Sequence, residues 1–346
     1  MHHNTVVCLV LLLLCMEGLA VGDDWPTWRG PDGDGVWHET DLVAEIGPGP
    51  LPVRWRAPIA NGYSGPTVAD GRVYVTDRLT SPEPVERVHC FNAADGTTIW
   101  SYAYPCVYAG IAHRNGPRAA VTLSEGRAYS LGTMGHFHCF DARTGQVLWG
   151  KDLKQEYRAR VPEWGIAPAA VVEGRLVIVL IGGEGACLVA FDKASGVEVW
   201  RALDDRGSYS TPIVIDQAGQ RVLVAWTGHR IVGLDPATGR LLWSHPFEPA
   251  QMVHNIASPV FHEGYLFLSG FFDGSLLLKI HPNAFSVEEL WRRRGRNATR
   301  TEALHCCIST PLLAGEHIYG IDSYGQLRCL DRATGVRRWE NLEVVP

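Results

Sequence analysis

The side chains best suited to recognition or chemistry in this chain lie in six short stretches that do not resemble one another. They are Asn61-Gly62-Tyr63-Ser64, His113 to Arg118 with Asn115 inside it, Glu163-Trp164, Ser208-Tyr209, His254-Asn255 and His305-Cys306-Cys307, and they begin 45 to 52 residues apart. Aromatic faces, a guanidinium, imidazoles and amides gathered at one place would hold a planar polar ligand or a peptide segment. Taken singly, each has a more ordinary use in bonding loop backbone and bridging neighbouring blades. The chain carries no G-x-S-x-G, no P-loop, no H-E-x-x-H and no EF-hand spacing, so the common hydrolase, nucleotide and zinc-protease chemistries have no motif here. Asp32-Gly33-Asp34-Gly35 reads as a surface loop, and Arg292-Arg293-Arg294 with Arg296 and Arg300 as a solvated basic loop or an anionic partner's surface.

The segments between those stretches repeat, and the repeat is what must position them. Cys90-Phe91-Asn92-Ala93-Ala94-Asp95-Gly96 runs to Trp100, and Cys139-Phe140-Asp141-Ala142-Arg143-Thr144-Gly145 runs to Trp149. Further copies end at Trp200, Trp243 and Trp339, with a degenerate one over Ile280 to Trp291. Counting from Trp55, the tryptophans are 43 to 51 residues apart, the period of a four-stranded propeller blade rather than of a helical hairpin. Each copy reads as two strands joined by a turn in which Asp and Thr oxygens bond backbone N–H groups and Gly takes positive φ. Asp70-Gly71, Glu125-Gly126, Glu173-Gly174, Glu263-Gly264 and Ala314-Gly315 mark a second hairpin upstream. The loops leading into the innermost strands would then gather at one mouth of a central channel, and these loops are the six stretches above.

The Asp/Asn-x-x-Thr-Gly-x-x-x-Trp motif resembles the tryptophan-docking repeat of pyrroloquinoline-quinone (PQQ) type propellers, found in quinoprotein alcohol dehydrogenases and BamB-like outer-membrane assembly factors. The resemblance spans Asp24 to Trp339. Asp24-Trp25-Pro26-Thr27-Trp28-Arg29-Gly30-Pro31 and Val161-Pro162-Glu163-Trp164-Gly165 look like exported bacterial members of this group. The BamB-like side implies a scaffold that binds envelope proteins at its channel mouth or at a sheet edge. The quinoprotein side implies calcium held by carboxylate and amide oxygens, an Asp base, Cys306-Cys307 as a vicinal disulfide over the quinone, Trp164 as the opposite stacking face and Arg118 as a quinone partner. This chain departs from that pattern: its cysteine pair falls in the last repeat, and no Asp in the six stretches stands out as a base.

Composition bounds the rest. A net charge of −6 excludes a global field for nucleic acid, and an even mix of 46% hydrophobic and 20% charged residues excludes disorder. Val6 to Cys15 is an apolar run too short to span a bilayer, followed by Gly18-Leu19-Ala20, so residues 1–20 read as a signal peptide and the mature chain as exported, periplasmic or secreted. No later run would form an integral membrane segment. Beyond that leader remain seven cysteines, an odd number, and Cys90, Cys139 and Cys329 occupy equivalent repeat positions as small buried hydrophobes. The expected organisation is a 21–50 arm and a 51–346 all-β propeller of six four-stranded blades. Leu51 to Ala57 is expected as one extra N-terminal outer strand, so the ring is incomplete at its C-terminus, or closes with another chain through an exposed edge, or forms a compact six-bladed ring capped by Trp55. The expected function is a non-catalytic binding or assembly scaffold of the cell envelope with no cofactor, its partners envelope proteins or peptide segments; the alternative is a PQQ- and calcium-dependent alcohol dehydrogenase.

Overall fold

The computed structural model describes residues 22–40, 45, 47, 49–297 and 299–343. The leader expected over residues 1–20 lies outside the described residues. Among the described residues no helix is long and apolar enough to cross a membrane.

Strand-forming runs and glycine turns produce six antiparallel sheets of four strands each, ordered by sequence from inner to outer strand. Blade 1 spans residues 67–105, blade 2 122–152, blade 3 171–202, blade 4 213–246, blade 5 260–293 and blade 6 312–341. One helical turn, Leu153–Glu156, follows blade 2 and is capped by the Asp152 side chain. Blade 5 is complete despite its degenerate repeat sequence, with strands Val260–His262, Tyr265–Gly270, Gly274–Ile280 and Val287–Arg293.

The repeat motif does two things at once. In blade 2 Asp141 Oδ1 accepts from the Thr144 amide and hydroxyl at 2.8 and 2.7 Å, while Gly145 N–H closes the turn on the Asp141 carbonyl at 2.9 Å. Immediately beyond, the pairing of the third and fourth strands slips by one residue, between Cys139 and Phe140, and the same slip recurs in every blade. The bulge turns the tryptophan of the outer strand toward the next blade. Trp100 thus lies on Gly145 and donates Nε1–H to the Ala142 carbonyl at 2.9 Å. Trp149 docks likewise on Gly196 and Lys193, Trp200 on Gly239 and Pro236, and Trp291 on Gly335 and Arg332.

Two positions depart from expectation. Leu51 to Ala57 forms no strand; among the described residues no strand pairs with it, yet Trp55 still docks on Gly96 and bonds the Ala93 carbonyl at 2.8 Å. The docking bond needs only the indole, so it survives without a sheet to carry it. Arg292 and Arg293 are likewise not in a loop but end the outer strand of blade 5, with the Arg292 guanidinium 4.3 Å from the Phe247 ring centroid and Arg293 bonding the Thr334 carbonyl.

The core sits between blades rather than within them. Phe137 and Tyr129 of blade 2 pack with Val177, Val179 and Phe191 of blade 3, and Trp226 and Val224 of blade 4 with Leu266, Leu268 and Leu276 of blade 5. Sheets meeting face to face interdigitate these aromatic and aliphatic side chains, and burial of each Leu, Val or Phe contributes about 1.5–3 kcal/mol.

Candidate functional site

At the mouth formed by the loops that lead into the innermost strands lies a cavity of about 310 Å³. Neighbouring loops hold one another in a belt. Tyr63 and Ser64 N–H groups donate to the Pro117 carbonyl, Ala112 N–H to the Glu163 carbonyl, Trp164 N–H to the Tyr209 hydroxyl and Tyr209 N–H to the Asn255 carbonyl. Each bond crosses from one blade's loop to the next along blades 1 to 5, so the cavity wall is fixed by neighbouring loops together and not by any single loop.

Six of the ten candidate residues line this cavity: Tyr63, Arg118, Trp164, Tyr209, His254 and Cys307. Trp164 stands between Tyr209, at 5.0 Å between ring centroids, and His254, at 4.7 Å and edge-on. His254 is buried, stacks on Phe271 at 5.0 Å and leaves Nδ1 without a hydrogen-bond partner. Burial pulls its pKa below the usual imidazole range, so the ring is neutral at pH 7.

Arg118 supplies the cavity's cation. Its guanidinium donates to the carbonyls of Gly116, Ala112 and His113 and lies over the rings of Tyr63 and Tyr108 at 5.3 and 5.9 Å. No carboxylate is among these partners. Burial lowers its pKa, opposed by Tyr108, Tyr63 and Glu86. Behind it runs a chain of bonds: Arg118 donates to Thr133 Oγ1, Thr133 Oγ1 pairs with the Tyr108 hydroxyl at 2.7 Å, and Tyr108 donates to Glu86. Glu86 is fully buried and accepts also from Tyr104 and from the Thr133 amide at 3.1 Å. Burial, then the neighbouring Glu86 charge, raises the Tyr108 pKa far above the phenol range, so the phenol stays a donor.

The other four candidates stand elsewhere. Asn115 is exposed and outside the cavity. Glu163 lines a second cavity, of about 330 Å³, with Arg160 and Arg206. Asn255 is buried, its amide donating to the Thr227 carbonyl at 2.8 Å, which is a structural use. Cys306 turns into the core between blades 5 and 6, where its N–H bonds Ser269 Oγ, whereas Cys307 turns to the cavity. The two thiols thus do not share a face. Both are free, and burial raises the Cys307 thiol's pKa.

Sequence reasoning missed Trp28 as a wall of the cavity. Its indole Nε1–H donates to Ser258 Oγ at 3.0 Å, from the N-terminal arm to blade 5. Among the described residues lining the cavity there is no Asp or Glu. Asp32, Asp34 and His38 bring possible ligand atoms within 4.8 Å of one another, but in the solvent-facing arm.

Six four-stranded blades, all but blade 5 met by a tryptophan docked on a glycine turn, define an all-β propeller of the PQQ-like repeat class. The family model described as outer membrane protein assembly factor BamB matches residues 84–341, and the chain belongs to that family. It is 25% identical over 228 residues to the outer membrane protein assembly factor BamB of Shewanella oneidensis, covering 64% of this chain and 56% of that protein. It is also 28% identical over 188 residues to the 1-butanol dehydrogenase (quinone) of Thauera butanivorans, covering 49% of this chain and 28% of the relative. The crystal structure of BamB from Moraxella catarrhalis shares the fold at a TM-score of 0.59 and 17% identity, over 84% of this chain and 77% of that one. The chain thus spans about half the length of the BamB relative, and less of the dehydrogenase.

Proposed function

We propose that this protein is a non-catalytic binding scaffold of the cell envelope that holds an exported partner or peptide segment at the propeller mouth. The observation that carries the reading is the composition of the cavity: aromatic rings, one guanidinium, two imidazoles and aliphatic groups, with no carboxylate among the described lining residues. Such a surface binds by stacking, apolar contact and attraction of negative charge. The relatives named as assembly factors support the same reading and an exported location.

The second reading, a quinone-dependent alcohol dehydrogenase, has relatives of comparable similarity in its favour. The residues do not fit the group it requires. A calcium ion wants six to eight oxygen ligands, several of them carboxylate, and proton abstraction wants a base within hydrogen-bond reach of the substrate. The described lining offers neither, and Cys306 faces away from the cavity that Cys307 meets.

The test combines two measurements on the purified chain. After incubation with PQQ and calcium and gel filtration, the protein peak is expected to carry no stoichiometric quinone absorbance. With a photo-crosslinking residue in place of His113 at the mouth, adducts with envelope polypeptides are expected in cells and are expected to fall several-fold on adding Arg118→Ala. One quinone retained per chain, dependent on calcium, replaces the scaffold reading with the dehydrogenase one.

A further inference from the structure

The N-terminal arm enters the channel in the manner of a bound peptide. Trp25 and Val68 exchange both backbone hydrogen bonds, at 2.8 and 2.9 Å, so the arm adds to the inner edge of the first strand of blade 1, Thr67–Ala69. The next residue, Pro26, accepts from the Leu123 amide of blade 2 at 2.8 Å. Two residues on, the Trp28 indole reaches blade 5 and donates to Ser258. Backbone pairing at a free strand edge with one anchoring aromatic side chain is the chemistry of strand addition.

The arm belongs to none of the blades. It contributes no strand to any of the six sheets, and beyond Trp28 it folds back on itself through Gly35 N–H to the Arg29 carbonyl and Val36 N–H to Asp34. Trp28 keeps 37% of its surface accessible and lines the same cavity as Trp164, Tyr209 and His254. We infer that the channel recognises an extended peptide bearing an aromatic side chain, and that the 22–36 arm is its displaceable intramolecular occupant. This rests on the reading of the mouth as a binding site and specifies the class of ligand.

Release of the arm is tested on the intact wild-type chain by amide hydrogen exchange. The Val68 and Leu123 amides donate only to the arm, whereas the Val88 amide lies deep in blade 1. Val68 and Leu123 are expected to exchange at least 100-fold faster than Val88, and faster still in Ser258→Ala. Exchange at one common rate means that the arm leaves only on global unfolding, and overturns the inference. Recognition is tested with a fluorescein-labelled peptide of residues 22–36 and the full chain carrying Trp25→Ala and Trp28→Ala, whose near-ultraviolet circular dichroism and melting report folding. The variant is expected to bind the peptide at least tenfold more tightly than wild type, and a peptide lacking the second indole to bind at least tenfold more weakly. Equal binding by both peptides, or none by a folded variant, overturns it. The exchange measurement involves no external partner, so its outcome is independent of the crosslinking and quinone results.

Discussion

A single methyl group at Gly196 would stand 2.7 Å from the Trp149 indole, at a backbone φ of +70°. Two costs combine there, left-handed backbone for a side-chain-bearing residue and overpacking against an indole held by Phe137 and the Lys193 carbonyl. Gly196→Ala is expected to destabilise by about 2–4 kcal/mol, read by chemical denaturation. A second residue-scale effect concerns acid. His138 is packed among Tyr102, Tyr104 and Phe140, its Nδ1 has no partner, and burial with the nearby His136 pushes its pKa down to about 4. Between pH 6.5 and 4 the unfolded chain takes up a proton that the folded chain refuses, so stability falls as pH falls through that window, by on the order of 3 kcal/mol for this group. His138→Phe is expected to flatten that part of the stability profile, measured as denaturation midpoints at pH 7 and pH 4. The docking glycines were legible in the sequence because turn chemistry repeats; the buried imidazole was not, since nothing local tells an inward from an outward histidine.

At the scale of elements, the junction of blades 4 and 5 shows how a lost motif is replaced. Blade 5 lacks the glycine turn on which Trp243 would dock, and Gln217 stands in for it. Its Oε1 accepts from Trp243 Nε1 at 2.7 Å, and its Nε2 donates to the carbonyls of Ala284 and Ser286 in the blade 5 turn at 2.9 and 3.0 Å. Gln217→Leu leaves the buried Trp243 Nε1–H without its partner and is expected to cost about 1–3 kcal/mol by equilibrium unfolding. The degenerate repeat was recognisable at Ile280 to Trp291 from spacing alone, but its partner was not, because Gln217 belongs to another hairpin more than 60 residues away. Leu51 to Ala57 is the converse case. Its composition and its tryptophan match an outer strand, yet a strand exists only when a neighbour supplies its hydrogen bonds, and no described segment does.

Across the whole molecule the docking contacts differ in worth according to what lies beyond them. Trp200 is 7% exposed and bonded to Pro236, whereas Trp339 is 45% exposed and, among the described residues, rests on no glycine turn. Trp200→Ala is expected to cost about 3–5 kcal/mol and Trp339→Ala less than about 1.5, compared by denaturation under one condition. Strand alternation, turn residues and a period of 43 to 51 residues were enough by themselves to determine the four-stranded blade, the hairpins within it and the family, because each arises from bonds among near neighbours in the chain. Only the tertiary structure decided that Tyr63, Arg118, Trp164, Tyr209, His254 and Cys307 share one cavity while Asn115, Glu163, Asn255 and Cys306 do not, and that Trp28 joins them from the arm. Those placements depend on loop paths and on contacts such as Trp28 to Ser258, 230 residues apart, which no local pattern encodes because only the packing of the arm against the assembled blades brings the two together.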